Sequence, residues 1–119
     1  DNTRRFGATV VLEGDTFDDA RAHGLALAQE RGLTIVHPYD DLAVAAGQGT
    51  VALEMLAQQP AIDTLLVAVG GGGLVTGVAT AAAGVKPGTQ VFGVQTERFP
   101  AVWNAVRGEH RESAQATIA

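Results

Sequence analysis

Cysteine is absent from this 119-residue chain. That excludes a disulfide framework and any metal site built on thiolates. Basic residues are scarce: 8 lysines and arginines stand against 13 aspartates and glutamates, for a formal charge of −5. Non-specific nucleic-acid binding needs a basic face to neutralise phosphates, so this balance argues against it. No apolar run approaches the roughly 20 residues of a membrane span. The opening residues, DNTRRFGATV, carry no apolar h-region. A reducing cytoplasm is the expected compartment. The chain opens on Asp1 and stops at "ATIA" without a cap or polar tail, which reads as an excerpt from a longer protein. Lysine occurs once, at Lys86.

What the chain has is glycine and apolar residues. Hydrophobic residues make up 46% of it, which places it among globular proteins. Four glycines, Gly70–Gly73, stand consecutively between the apolar run TLLVAV and the alanine-rich stretch LVTGVATAAA. Glycine held in one conformation costs roughly 0.5–1 kcal/mol relative to alanine, so four forgo about 2–4 kcal/mol. Against a net stability of roughly 5–15 kcal/mol that is a large share.

Along the chain, apolar runs alternate with helical patterns. ATVVL (8–12), LTIVH (33–37), TLLVAV (64–69) and QVFGVQ (90–95) read as strands. The unbroken apolar character of 64–69 predicts a strand buried on both faces of a parallel sheet. Helices are expected over 17–31, 48–58, 74–83 and 100–107. Thr16 and Asp19 have capping-box spacing, and Gly32 is a natural stop. Phe17, Ala20, Gly24, Leu27 and Ala28 share one face of the first helix. In the second, Val51 and Met55 are expected to face inward, with Ala52 or Leu56 as further inward positions. In the last, Val102, Trp103 and Val106 are candidate buried positions. His37–Gly49 is expected to be a loop running into the second helix, and Gly84, Pro87 and Gly88 to close the third. The order β-α-β-α-β-α-β-α argues for an α/β fold with parallel strands, in three α/β/α layers.

A strand, a glycine loop and a helix start form an anion site. The first N–H groups of a helix have no partner inside it, and the helix dipole adds partial positive charge there. Without Cβ atoms the backbone can converge on phosphate oxygens. The competing reading is that the glycines serve only tight packing. The loop is not a Walker A motif, because Leu74-Val75-Thr76 follow where Lys-Ser/Thr would be needed. Nor is it a dinucleotide fingerprint. Val75 or Thr76 takes the third glycine position, and Gln95 or Thr96 stands where a ribose would want a carboxylate.

The segments RRFGATVVLEGDTFDDARAHGLALAQERGLTIVHPYDD, AGQGTVALEML, VGGGGLVTGVA and VFGVQTERFPAVWNAV, in that order and spacing, resemble the serine/threonine dehydratase family. These are pyridoxal-phosphate enzymes of the tryptophan-synthase-β type. The uninterrupted glycines favour the dehydratase and serine-racemase branch, since cysteine-making relatives carry threonines inside the loop. The resemblance implies the type II fold of pyridoxal-phosphate enzymes. It makes residues 1–40 the tail of a smaller subdomain and 41–119 the start of a larger, cofactor-binding one. It makes Gly70, Gly71, Gly72, Gly73 and Leu74 the binders of the pyridoxal 5′-phosphate ester. It also implies threonine deamination to 2-oxobutanoate, a place in isoleucine biosynthesis, a small amino acid as the partner molecule and a homo-oligomer. Serine racemase and 3-hydroxyaspartate dehydratase are the alternatives within the family. A non-catalytic anion- or nucleotide-binding module is the alternative outside it.

The cofactor of such enzymes needs a lysine in a desolvated site. Lys86, beside Pro87-Gly88, is expected to be a solvated surface residue, and the family's lysine falls upstream of the region seen here. No catalytic residue and no metal ligand is therefore assigned. Tyr39 sits where the resemblance places an aromatic or amide near substrate, and a packed loop tyrosine is the alternative. Arg21 matches a helix arginine that approaches substrate in racemase relatives, beside the reading of an exposed arginine among Asp18 and Asp19. Asp40 and Asp41 are adjacent loop carboxylates expected to be solvated. His23, His37 and His110 show no metal-ligand spacing. Gln95 replaces the glutamate with which some relatives bind a cation. With Glu97 two residues on and Ala101 in place of a second carboxylate, a hard-cation site is not expected there, and Gln95 is left with a local hydrogen-bonding role.

Overall fold

The structure is a computed structural model and describes residues 2–114; the ATIA terminus lies outside the described residues. The chain divides into two compact units, residues 1–35 and 36–119.

The first unit holds a short helix, α1 (Asn2–Arg5), and α2 (Phe17–Arg31). The capping box forms as the local sequence dictates. The Asp19 N–H donates to the Thr16 hydroxyl at 3.2 Å, and the Thr16 N–H donates back to the Asp19 carboxylate at 3.0 Å. Gly32 ends the helix at φ 64°, a left-handed conformation that only glycine enters freely. Ala28 is buried and Gly24 and Leu27 are half-buried, whereas Phe17 is exposed. Residues 8–12 form no ladder, and neither do 33–37. β-branched composition favours an extended chain, but a strand also needs a neighbour to accept its hydrogen bonds.

The second unit runs α3 (Leu42–Gln58), β1 (Thr64–Ala68), α4 (Gly73–Val85), β2 (Gln90–Val94) and α5 (Ala101–Arg107). β1 and β2 pair in parallel, from Thr64 opposite Gln90 to Ala68 opposite Val94. The ladder continues one step at each end, from Gln90 N–H to the Asp63 carbonyl and from Val69 N–H to the Val94 carbonyl. The architecture is α/β, as the alternation predicts.

α3 starts six residues earlier than expected. Asp41 caps it, accepting from the Ala43 and Val44 N–H groups at 2.7 and 3.2 Å. Its inner face is Ala45, Gly49, Ala52 and Leu56; the expected Val51 and Met55 are each 42% exposed. The small residues face inward because α4 crosses there almost backbone to backbone. A methyl group on Gly77 would lie 2.1 Å from the Ala45 carbonyl oxygen and 2.7 Å from the Gly49 nitrogen. Ala52, Leu56, Leu65, Val67, Val78 and Ala82 form the core, each large side chain contributing about 1.5–3 kcal/mol by leaving water. Only alternate residues of β1, Leu65 and Val67, are buried. Leu66 on the other face is exposed, as are Phe92 and Val94 of β2. The continuous apolar run thus does not translate into burial on both faces among the described residues. Gly84 lies inside α4 instead of closing it, and Lys86 is the C-cap.

Candidate functional site

Because β1 and β2 are parallel, both release the chain at the same end of the sheet. After β1 come Val69 and the four glycines; after β2 come Gln95, Thr96 and Glu97. Gly72 is the N-cap of α4 at φ 99°, and Gly73 is its first residue, one position ahead of the expected start at Leu74. With no side chain, Gly72 provides no cap bond. The helix ladder opens with the Thr76 N–H donating to the Gly72 carbonyl at 3.0 Å. The N–H groups of Gly73, Leu74 and Val75 precede that first bond, at the positive end of a 13-residue helix.

The four glycines are not equivalent. A methyl group on Gly70 would meet nothing within 4 Å. Gly72 is glycine by conformation, since φ 99° strains any L side chain. Gly71 and Gly73 are glycine by contact. A methyl on Gly71 would lie 2.2 Å from Cγ of Tyr39, and one on Gly73 would lie 2.9 Å from both Cα and the carbonyl oxygen of Tyr39. Tyr39 therefore stands against the loop, and close packing is one reason for glycine at these two positions.

Tyr39 is placed by its own turn. The His37 Nδ1 accepts the Asp40 N–H at 2.9 Å. The His37 ring meets Tyr39 edge to face, with centroids 4.8 Å apart. His37, to which the sequence assigned no role, thus shapes the loop that presents Tyr39. Asp41 caps α3, and Asp40 and Asp41 are both exposed, as expected of adjacent loop carboxylates.

Gln95 also reaches the loop. Its Nε2 donates to the Gly70 carbonyl at 3.2 Å, and its Oε1 accepts the Trp103 N–H at 2.9 Å. Beyond it lies a cavity of about 610 Å³ whose lining includes Val75, Gln95, Glu97, Trp103 and Arg107. At its edge the Trp103 indole donates to Glu109 at 3.0 Å, and the Arg107 and Arg111 guanidinium carbons lie 4.9 and 5.0 Å from the indole centroid. The Trp103 hydrogen bond, with Arg111 next, holds the Glu109 carboxyl below the ordinary carboxylate range. Trp103 is 39% and Val106 77% exposed, so the expected burial of these two does not occur among the described residues.

Lys86 is far from this end. Its ammonium donates to the Pro60 and Ile62 carbonyls at 2.6 and 2.5 Å, on the segment that enters β1. A five-residue strand separates that segment from the glycines, a span of about 17 Å. Lys86 is half-buried and anchored, not the freely solvated residue its turn suggests. Arg21 is exposed on α2, in the first unit. No group of three or more metal-ligating side chains occurs among the described residues. No helix among them is long and apolar enough to cross a membrane.

The pyridoxal-phosphate dependent enzyme family matches residues 1–119. The catabolic L-threonine dehydratase TdcB of Staphylococcus aureus (strain N315) is 43% identical over 116 residues, covering 94% of this chain and 34% of that protein. The chain thus spans about a third of the length of that curated relative. Among solved structures, the processed form of threonine deaminase isoform 2 from Solanum lycopersicum superposes with a TM-score of 0.81 at 39% identity, over 91% of this chain and 30% of that one. Maize serine racemase superposes with a TM-score of 0.83 at 27% identity, over 98% of this chain and 36% of that one.

Proposed function

This chain belongs to the pyridoxal-phosphate dependent enzyme family, and from that premise we propose that it is part of a threonine dehydratase. Such an enzyme eliminates the β-hydroxyl of threonine and releases ammonia and 2-oxobutanoate. The observation that carries the reading is the start of α4. A helix opens on bare glycine backbone at the C-terminal end of a parallel strand, with its leading N–H groups ahead of the first intrahelical bond. That donor set fits a phosphate ester, since it offers several N–H groups, a favourable dipole and no side chain in the way at Gly70.

When bound, pyridoxal phosphate supplies the electron sink for loss of the Cα proton and the β-hydroxyl. In this proposal the N–H groups of Gly70, Gly71, Gly72, Gly73 and Leu74 hold the phosphate. Tyr39 closes the side of the loop formed by Gly71 and Gly73, which leaves the side at Gly70 for the anion's approach. Residues 1–40 serve as the tail of the smaller subdomain and 41–119 as the start of the larger one. The reading includes a small amino-acid substrate and a cytoplasmic homo-oligomer. Isoleucine biosynthesis is part of the proposal only, since the Staphylococcus relative carries a catabolic name.

The test uses the full-length protein that carries this segment. It should bind pyridoxal phosphate and form a 2-oxo acid from threonine. Failure to bind the cofactor overturns the reading. The likeness to maize serine racemase over 98% of the chain favours a second reading, racemisation within the same family. Chiral analysis of the products from L-serine separates the two, D-serine marking the racemase and a 2-oxo acid the dehydratase.

A further inference from the structure

We propose that Gln95 is a positioning residue that sets the direction of the Gly71 N–H in the anion cradle, an inference that rests on the cradle reading above. A trans peptide holds its C=O and N–H on opposite sides. The carbonyl of Gly70 and the N–H of Gly71 belong to one peptide unit, so whatever pins the first directs the second. The Gln95 amide pins the first, through Nε2 at 3.2 Å.

The orientation of the amide is itself determined. The Trp103 N–H can only donate and the Gly70 carbonyl can only accept. Oε1 therefore faces Trp103, at 2.9 Å, and Nε2 faces Gly70. The Gly70–Gly71 peptide needs such a restraint. A methyl on Gly70 would meet nothing within 4 Å, so packing on the Cα does not hold it. Glycine on both sides also makes rotation of the plane cheap. Of the two residues of this peptide, Gly71 alone is approached by Tyr39. Gln95 ties this soft peptide to the end of β2 and to α5, and it directs the Gly71 N–H away from β2.

The chemistry singles out an amide. An ionised glutamate accepts from Trp103 as well as glutamine does, but it has no proton for the Gly70 carbonyl. Gln95→Glu therefore keeps volume and the α5 contact and removes one function. A methionine keeps approximate volume and removes both.

The experiment measures dissociation constants of pyridoxal 5′-phosphate and of pyridoxal, which lacks the phosphate, for the full-length apo-protein and the variants Gln95→Glu and Gln95→Met. At pH 8 each variant should weaken pyridoxal phosphate binding by about three- to tenfold, the worth of one hydrogen bond, and pyridoxal binding by less than about twofold. As pH falls and the introduced carboxyl gains an O–H donor, the Gln95→Glu deficit relative to wild type should narrow, while that of Gln95→Met should not. Equal losses for both ligands would mean a merely structural role and overturn the inference, as would no loss for either. If Gln95→Glu does not fold, the two-ligand comparison with Gln95→Met decides. A wild-type protein that binds both ligands equally would remove the cradle, and this inference with it. A wild-type preference for the phosphate that survives in the variants would remove the role of Gln95 alone.

Discussion

The ring of Tyr39 lies on the backbone of Gly71, with no room between them for one methyl group. Gly71→Ala should therefore displace the tyrosine and lower stability by about 1–3 kcal/mol, the usual effect of forcing a carbon into a filled site. In a Tyr39→Ala background the same substitution should have much less effect. Urea unfolding of the four proteins of that double-mutant cycle measures the coupling. Additive effects would separate the two residues.

Gly70 offers a cleaner test of anion binding than Gly72. Any side chain at Gly72 is strained by φ 99°, whereas Gly70 has open space beside it and no positive φ. Gly70→Asp should leave unfolding stability within about 0.5 kcal/mol, as at other open positions. It should weaken pyridoxal phosphate binding at least about fivefold, because a carboxylate and a phosphate near 4 Å repel by about 1–4 kcal/mol. Cofactor titration and thermal unfolding of the full-length variant check both halves.

Two glycines of α4 should respond to alanine with opposite signs. Gly77 touches the α3 backbone, and Gly77→Ala should destabilise by about 1–3 kcal/mol. Gly84 sits in the same helix with nothing within 4 Å, and Gly84→Ala should stabilise by about 0.5–1 kcal/mol through helix propensity. Denaturant midpoints read both.

These contrasts show which parts of the structure were legible in sequence. The α2 cap was, because Thr16 and Asp19 are three residues apart and their hydrogen bonds close locally. The inner face of α3 was legible only in part, at Ala52 and Leu56. Burial there follows the close approach of Gly49 and Gly77, so small residues face inward and Val51 and Met55 do not. Residues 8–12 and 33–37 have strand composition but no ladder, which no count of β-branched residues reveals. The glycine loop itself was conspicuous. Its division of labour was not, because Tyr39 and Gln95 reach it from 32 and 25 residues away, counted from Gly71 and Gly70.

The α2 cap should weaken in acid. The Thr16 hydroxyl, followed by the Thr16 N–H, holds the Asp19 carboxyl below its ordinary value. A carboxyl depressed in the folded state stabilises it fully above the unfolded value, and that contribution is lost as pH falls through the lowered folded value. Asp19 should titrate at lower pH than the carboxyls without such partners when followed by NMR, and Thr16→Ala should narrow the difference without removing it, since the backbone N–H donors of residues 15 and 16 remain. At neutral pH Thr16→Ala should cost about 1 kcal/mol, as loss of an N-cap does.

The parallel pairing of β1 with β2 carries a lesson for protein engineers. Residues 64–85 look like a portable cassette: strand, glycines and helix in one uninterrupted piece. Transplanted alone into another scaffold, that piece would arrive without the glutamine that restrains its first glycine peptide and without the tyrosine that walls its flank. A working graft must bring three separate stretches of chain in register, or supply substitutes for the two that are left behind.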